Sequence, residues 1–138
     1  MLQLIPSNPL LVAAWAAHAF FAILFLQSGL DKLYNYHSNL GWIREQFKST
    51  PISPVIVPVF ISLTLMELAS GMSAAACLYF LGTHDTSFSL SSFALCSGTL
   101  LALFFGQRIS RNYEGAATLA AYFAVSLISL LFMHYLAM

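Results

Sequence analysis

Apolar residues run through this chain in four stretches, about Leu10–Tyr36, Pro54–Leu81, Phe88–Gln107 and Gly115–Leu136, parted by short polar breaks. Each stretch reaches the roughly 20 residues that a helix needs to cross a hydrocarbon core. The pattern predicts an all-α fold, an integral membrane four-helix bundle formed as a single transmembrane domain. The break after the first stretch has a periodicity of its own. In "SNLGWIREQFKSTP", Leu40, Ile43 and Phe47 recur at helical spacing while Arg44, Glu45 and Lys48 flank them. This predicts a short interfacial helix between helices 1 and 2, lying in the headgroup plane with Trp42 at the boundary. Before the second span, Ser53 is placed to cap and Pro54 to open the helix. Pro58 lies further in and suggests a bend or a loose first turn. Pro9 suits the start of the first span.

Composition supports the reading: 59% of the 138 residues are hydrophobic and 7% are charged, where a soluble domain carries about 25% charge. The opening "MLQLIPSNP" has no basic residue, and the apolar run behind it is too long for a signal-peptide core, so the first helix is expected to stay in the mature protein. Lys32, Arg44, Lys48, Arg108 and Arg111 all fall in or beside the first and third breaks. With four spans, the positive-inside rule then predicts both breaks in the cytoplasm and both termini outside. A neutral net charge leaves no footprint for nucleic acid.

Glu67 stands near the middle of the second span. An ionised acid at that depth costs about 2.5–3.5 kcal/mol even on lenient insertion scales, so it is expected to be protonated, paired or turned to a wet cavity. Thr64, Ser70, Gly71 and Ala74 share its stripe and favour a closely packed helix interface. The residue is read either as a proton acceptor or ligand contact, quinone being one such ligand, or as a structural hydrogen-bonding group. Asp31 and Lys32 project about 100° apart on the first helix. Asp31 shares a face with Gln27 and Leu24, whereas Lys32 falls nearer Gly29, Phe25, Ala22 and His18. Lys32 either snorkels to water or turns inward to pair with Glu67, should a Pro58 bend lower that acid. In "FGQRISRNYEGAA", Arg108, Arg111 and Glu114 follow spacing that a continuing helical turn would align for ion pairing. The arginines either anchor the loop or hold an anionic lipid, a partner's carboxylate or a quinone carbonyl.

His18 and His134 fall on the first and fourth spans, so a haem is weighed, but neither sits in a ligand pattern. His37 and His84 lie in breaks and are expected to be solvated. Cys77 and Cys96 form no C-x-x-C pair and are read as small buried residues. Ser92, Cys96, Thr99 and Gly106 on the third span, with Thr118, Tyr122, Ser126 and Ser129 on the fourth, suit interhelical contacts rather than a pore. No metal-ligand cluster, phosphate-binding loop or hydrolase constellation is legible.

Taken together, "FFAILFLQSGLDKL", "MELASG" and "FFGQRISRNYEGAA" resemble the DoxX-like family of small four-helix bacterial membrane proteins. The resemblance implies a bundle in the bacterial cytoplasmic (inner) membrane. Some members of that family are subunits of quinone-linked oxidoreductases, thiosulfate:quinone oxidoreductase and a terminal quinol oxidase among them. By position, the family's first-helix lysine falls on Lys32 and its second-helix acid on Glu67. The leading expectation is therefore a non-catalytic or quinone-contacting subunit of a respiratory-type oxidoreductase complex, which binds no cofactor covalently and leaves the redox centres to other membrane subunits. A homo-oligomer is the other assembly considered. The alternative functions are a structural or assembly protein that docks partners or lipids, and a small proton-coupled transporter.

Overall fold

The computed structural model describes residues 8–80 and 86–138. The Asn8 side chain accepts a hydrogen bond from the Leu10 amide and Pro9 occupies the first turn, so α1 (Pro9–Tyr34) starts with a cap and a preset φ. It ends at Asn35, and α2 (Tyr36–Phe47) begins one residue later, earlier than the sequence suggests. A 3-10 turn at Ser53–Val55 leads into α3 (Ile56–Phe80). Ser53 does not cap it: the turn has no side-chain cap bond and takes Ile52 as its leading residue. Pro58 falls in the first turn of an uninterrupted helix, where its missing N–H costs little. α4 (Thr86–Ile109) and α5 (Tyr113–Ala137) complete the order.

Four of these helical segments are long and apolar enough to cross a membrane. Their outward faces are apolar as well, with Ile23, Leu65, Phe105, Ile128 and Leu131 all more than half exposed. So much apolar surface would drive aggregation in water and is what hydrocarbon solvates. The ends that carry Lys32 and Arg108, together with α2, form one basic end of the bundle.

Packing is most extensive within two antiparallel pairs, α1 with α3 and α4 with α5. In the first pair the contact is reciprocal. A Cβ added at Gly29 would sit 2.7 Å from Leu68 Cδ2, and one at Gly71 would sit 2.8 Å from the Leu26 backbone nitrogen. Each glycine thus receives the partner's leucine, and the two pairings fix the register. The pairs join through a core of Ala14, Phe21, Ala22 and Phe25 from α1, Ala74 from α3, Phe93, Cys96 and Leu100 from α4, and Met133 from α5. Hydroxyl groups cross the remaining seams: Ser70 with Thr99 at 2.7 Å, Ser73 with Ser92 at 2.9 Å, and Ser97 with Ser126 at 2.9 Å.

α2 closes the basic end. Leu40 and Phe47 are buried while Trp42 is exposed, as an amphipathic interfacial helix requires. Phe47 reaches across to Gly106 of α4, and Gln46 Nε2 donates to Gln107 Oε1 at 3.2 Å and to Ser110 Oγ at 2.9 Å.

Gly71→Val is expected to destabilise the fold by about 1–3 kcal/mol, because backbone rather than a movable side chain opposes the new atoms. Gly98, where an added Cβ meets nothing within 4 Å, supplies the control: Gly98→Ala should be neutral or raise stability. Unfolding of both variants in mixed micelles checks the contrast.

Candidate functional site

Lys32 and Glu67 meet between α1 and α3. Lys32 Nζ lies 2.8 Å from Glu67 Oε2 and 2.8 Å from Ser28 Oγ, and the Ser28 hydroxyl donates to the same Oε2 at 3.0 Å. Glu67 is sealed, its side chain 2% exposed, while that of Lys32 keeps 17%. The site is closed on the acid's side and ajar on the amine's.

Helix direction explains why they meet. Side chains on an α-helix lean toward its N-terminus. α1 arrives at the basic end with its C-terminus, so Lys32 leans back into the bundle, over Ser28 one turn earlier. α3 leaves that end, so Glu67 leans toward it. With Leu26 against Gly71 and Gly29 against Leu68, Lys32 stands level with Leu65, and the Glu67 backbone lies about 3 Å deeper. The opposed leans close that gap. No bend at Pro58 is needed, because α3 runs unbroken from Ile56 to Phe80.

The neighbours divide as the helical wheel requires. His18, Phe25 and Gly29 on the Lys32 side of α1 are buried, and so are Thr64, Ser70, Gly71 and Ala74 around Glu67. Gln27 and Asp31 are exposed and take no part in the pair. Asp31 instead accepts from Asn35 Nδ2 at 2.7 Å and from Asn39 Nδ2 at 3.1 Å, which staples the start of α2 to the end of α1. A small, partly open recess of about 70 Å³ is lined by Leu33, Tyr36, Phe60, Ile61, Thr64 and Leu65; Lys32, Glu67 and Ser28 are not among its walls.

Arg108, Arg111 and Glu114 do not align. α4 ends at Ile109 and Arg111 takes φ 59°, so no helical turn carries the spacing through. The Asn112 amide bonds Gln107 O and the Arg111 amide bonds Arg108 O, a Schellman ending with arginine where glycine is usual. Arg108 lies over the Tyr113 ring, 4.7 Å from its centroid. Glu114 is exposed in the first turn of α5, where a negative charge suits the helix N-terminus. Among the described residues these three form no ion pair with one another; the ion pairs found there are Lys32–Glu67 and Lys48–Glu45.

His18 is fully buried; its Nε2 lies 2.6 Å from Ser89 Oγ and its ring stacks on Phe93 at 3.9 Å. His134 is exposed on α5. The two histidines therefore do not face a common interior space, which removes the geometry a bis-histidine haem requires. His37 is exposed, and His84 lies outside the described residues. Cys77 and Cys96 are buried and not bridged. Among the described residues no group of three or more His, Cys, Asp or Glu is placed to hold a metal ion. On α5, Ser126 is buried against Ser97, but Thr118 is exposed and bonds the Glu114 carbonyl of its own helix.

Ser28 belongs to the site although its chemistry does not announce it; the signal is its position one turn before Lys32 on the inward-leaning side. Gln46, Gln107 and Ser110 form a second polar contact that no periodicity foretells, since it depends on where α2 comes to rest. The fold and the pair define a multi-pass membrane helical bundle with an interhelical lysine–glutamate pair toward its basic end. No protein-family model, curated protein or solved structure matches the chain.

Removing one partner of a buried pair strands the other. Lys32→Met is expected to cost about 3 kcal/mol, and adding Glu67→Leu should recover most of that loss. Unfolding of the two single variants and the double variant, read as a mutant cycle, measures the coupling.

Proposed function

We propose that this chain is a DoxX-like membrane subunit of a quinone-linked, respiratory-type oxidoreductase complex in a bacterial cytoplasmic membrane, with the redox centres held by partner subunits and both termini outside. The observation that carries the proposal is the asymmetry of the pair: a sealed acid and an amine that keeps some access. A quinone head needs a flat apolar surface for its ring and a donor for its carbonyl oxygen. Leu33, Tyr36 and Phe60 line an apolar recess that would offer the first, and Lys32 Nζ would offer the second. A bound quinone would supply the two-electron, two-proton couple. Lys32 would orient its carbonyl, and Glu67, with Ser28 donating to Oε2, would hold or pass a proton at that oxygen.

A structural reading also has an observation in its favour. The pair lies beside the Gly29–Leu68 and Leu26–Gly71 contacts, where a clamp between α1 and α3 would act most directly. Purification in mild detergent separates the two. The wild-type chain is expected to bring down redox subunits or quinone, Lys32→Met to lose most of the quinone, and Glu67→Gln to keep the complex while slowing quinone-linked turnover at least tenfold. A chain that copurifies with neither redox proteins nor quinone overturns the proposal. Full turnover in Glu67→Gln favours the clamp, since an amide preserves much of the hydrogen bonding.

A further inference from the structure

A second feature lies on the far side of the bundle and is independent of the reading above. The outward face of α4 carries a groove of about 540 Å³, lined by Gly98, Leu101, Ala102, Phe104, Phe105 and Arg108. Five of these residues are apolar or side-chainless, and the sixth is a cation at one end. Gly98 is exposed, and an added Cβ there meets nothing within 4 Å. Its missing side chain therefore serves no contact inside the chain, although glycine in mid-helix is unfavourable relative to alanine by about 0.8–1.0 kcal/mol.

The dimensions point to an occupant. From Gly98 to Arg108 the helix rises about 15 Å, which is half of a hydrocarbon core about 30 Å thick. The groove thus runs from near the middle of the bilayer to the headgroup level of one leaflet, the span of a single acyl chain. At the headgroup end Arg108 lies over Tyr113, and no acidic group within ion-pair distance of it is found among the described residues. The edge of a guanidinium held on an aromatic face remains available to phosphate oxygens.

We propose that this groove binds one anionic glycerophospholipid from the leaflet at the basic end, its acyl chain along Gly98, Ala102 and Phe105 and its phosphate on Arg108. Charge argues against a second copy as the occupant. Copies inserted in the same orientation and related by a twofold axis along the membrane normal meet at equal heights, so an isologous contact on this groove sets Arg108 against Arg108. The lining contains no acid to relieve that repulsion.

The probes are synthetic phosphatidylglycerol and phosphatidylcholine, added to delipidated full-length protein and counted by native mass spectrometry. The wild type is expected to retain one phosphatidylglycerol per chain with at least fivefold preference over phosphatidylcholine. Arg108→Ala should bring that preference near parity, and Gly98→Phe, which fills the groove from its open side, should lower retention of both lipids. Thermal unfolding of Gly98→Phe in lipid-free detergent is expected to match the wild type, so that lost binding is not lost folding. Equal retention of both lipids by the wild type, or phosphatidylglycerol retention unchanged in both variants, overturns the proposal. So does a wild-type dimer that Gly98→Phe converts to monomer with no change in lipid count.

Discussion

The pairing of Lys32 with Glu67 is the constraint around which the α1–α3 half of this bundle is organised. An acid placed deep in an apolar helix needs a partner, and only a helix that brings a donor to the same depth can supply one. α1 does so by ending where α3 begins, which turns the lean of both side chains toward a common point. The glycine contacts beside the pair bring the two backbones close enough for a lysine to reach without stretching. Ser28 then adds a second donor to the oxygen that Nζ approaches. Packing and charge here depend on each other: bulk at Gly29 or Gly71 would move the lysine away, and an unpaired acid would disfavour the packing that buries it.

The other half is organised differently. α4 and α5 are joined by a short reversal in which Arg111 accepts a left-handed backbone, and the basic residues around it stay at the surface. That geometry separates Arg108 from Glu114 and leaves the guanidinium to an aromatic face. α2 bridges the two halves at the basic end, fixed to α1 through Asp31 with Asn35 and Asn39, and to α4 through Gln46. A loop of the same length without helical structure would leave the ends of α1, α3 and α4 untied.

The spans were legible in the sequence because hydrocarbon imposes a length and a composition that few other environments share, and their observed ends fall within a few residues of the apolar stretches. Glu67 was legible for the same reason, as a carboxyl where solvent is absent. Its partner was legible only as one of two alternatives, because the helical wheel places Lys32 on the buried side without saying how far it leans. Side-chain direction closes the gap to Glu67 without a bend at Pro58, and direction is not written in residue spacing. Spacing alone would align Arg108, Arg111 and Glu114, but Arg111 leaves the helix and breaks the alignment. Ser28 and Gln46 carry ordinary side chains, and only three-dimensional placement distinguishes them.

The α1–α3 half differs in kind from the seams around α4. Within α1 and α3 the backbones interlock, and relative movement would drive leucine into main chain. Between α3 and α4 the contact includes serine and threonine pairs, each worth about 0.6 kcal/mol in such settings. A hydroxyl both donates and accepts, so it can exchange one neighbour for another as a helix slides past. Hydroxyl pairs thus line the seams that α4 makes with α3 and α5, whereas the α1–α3 seam is held by interlocked backbones and one ion pair.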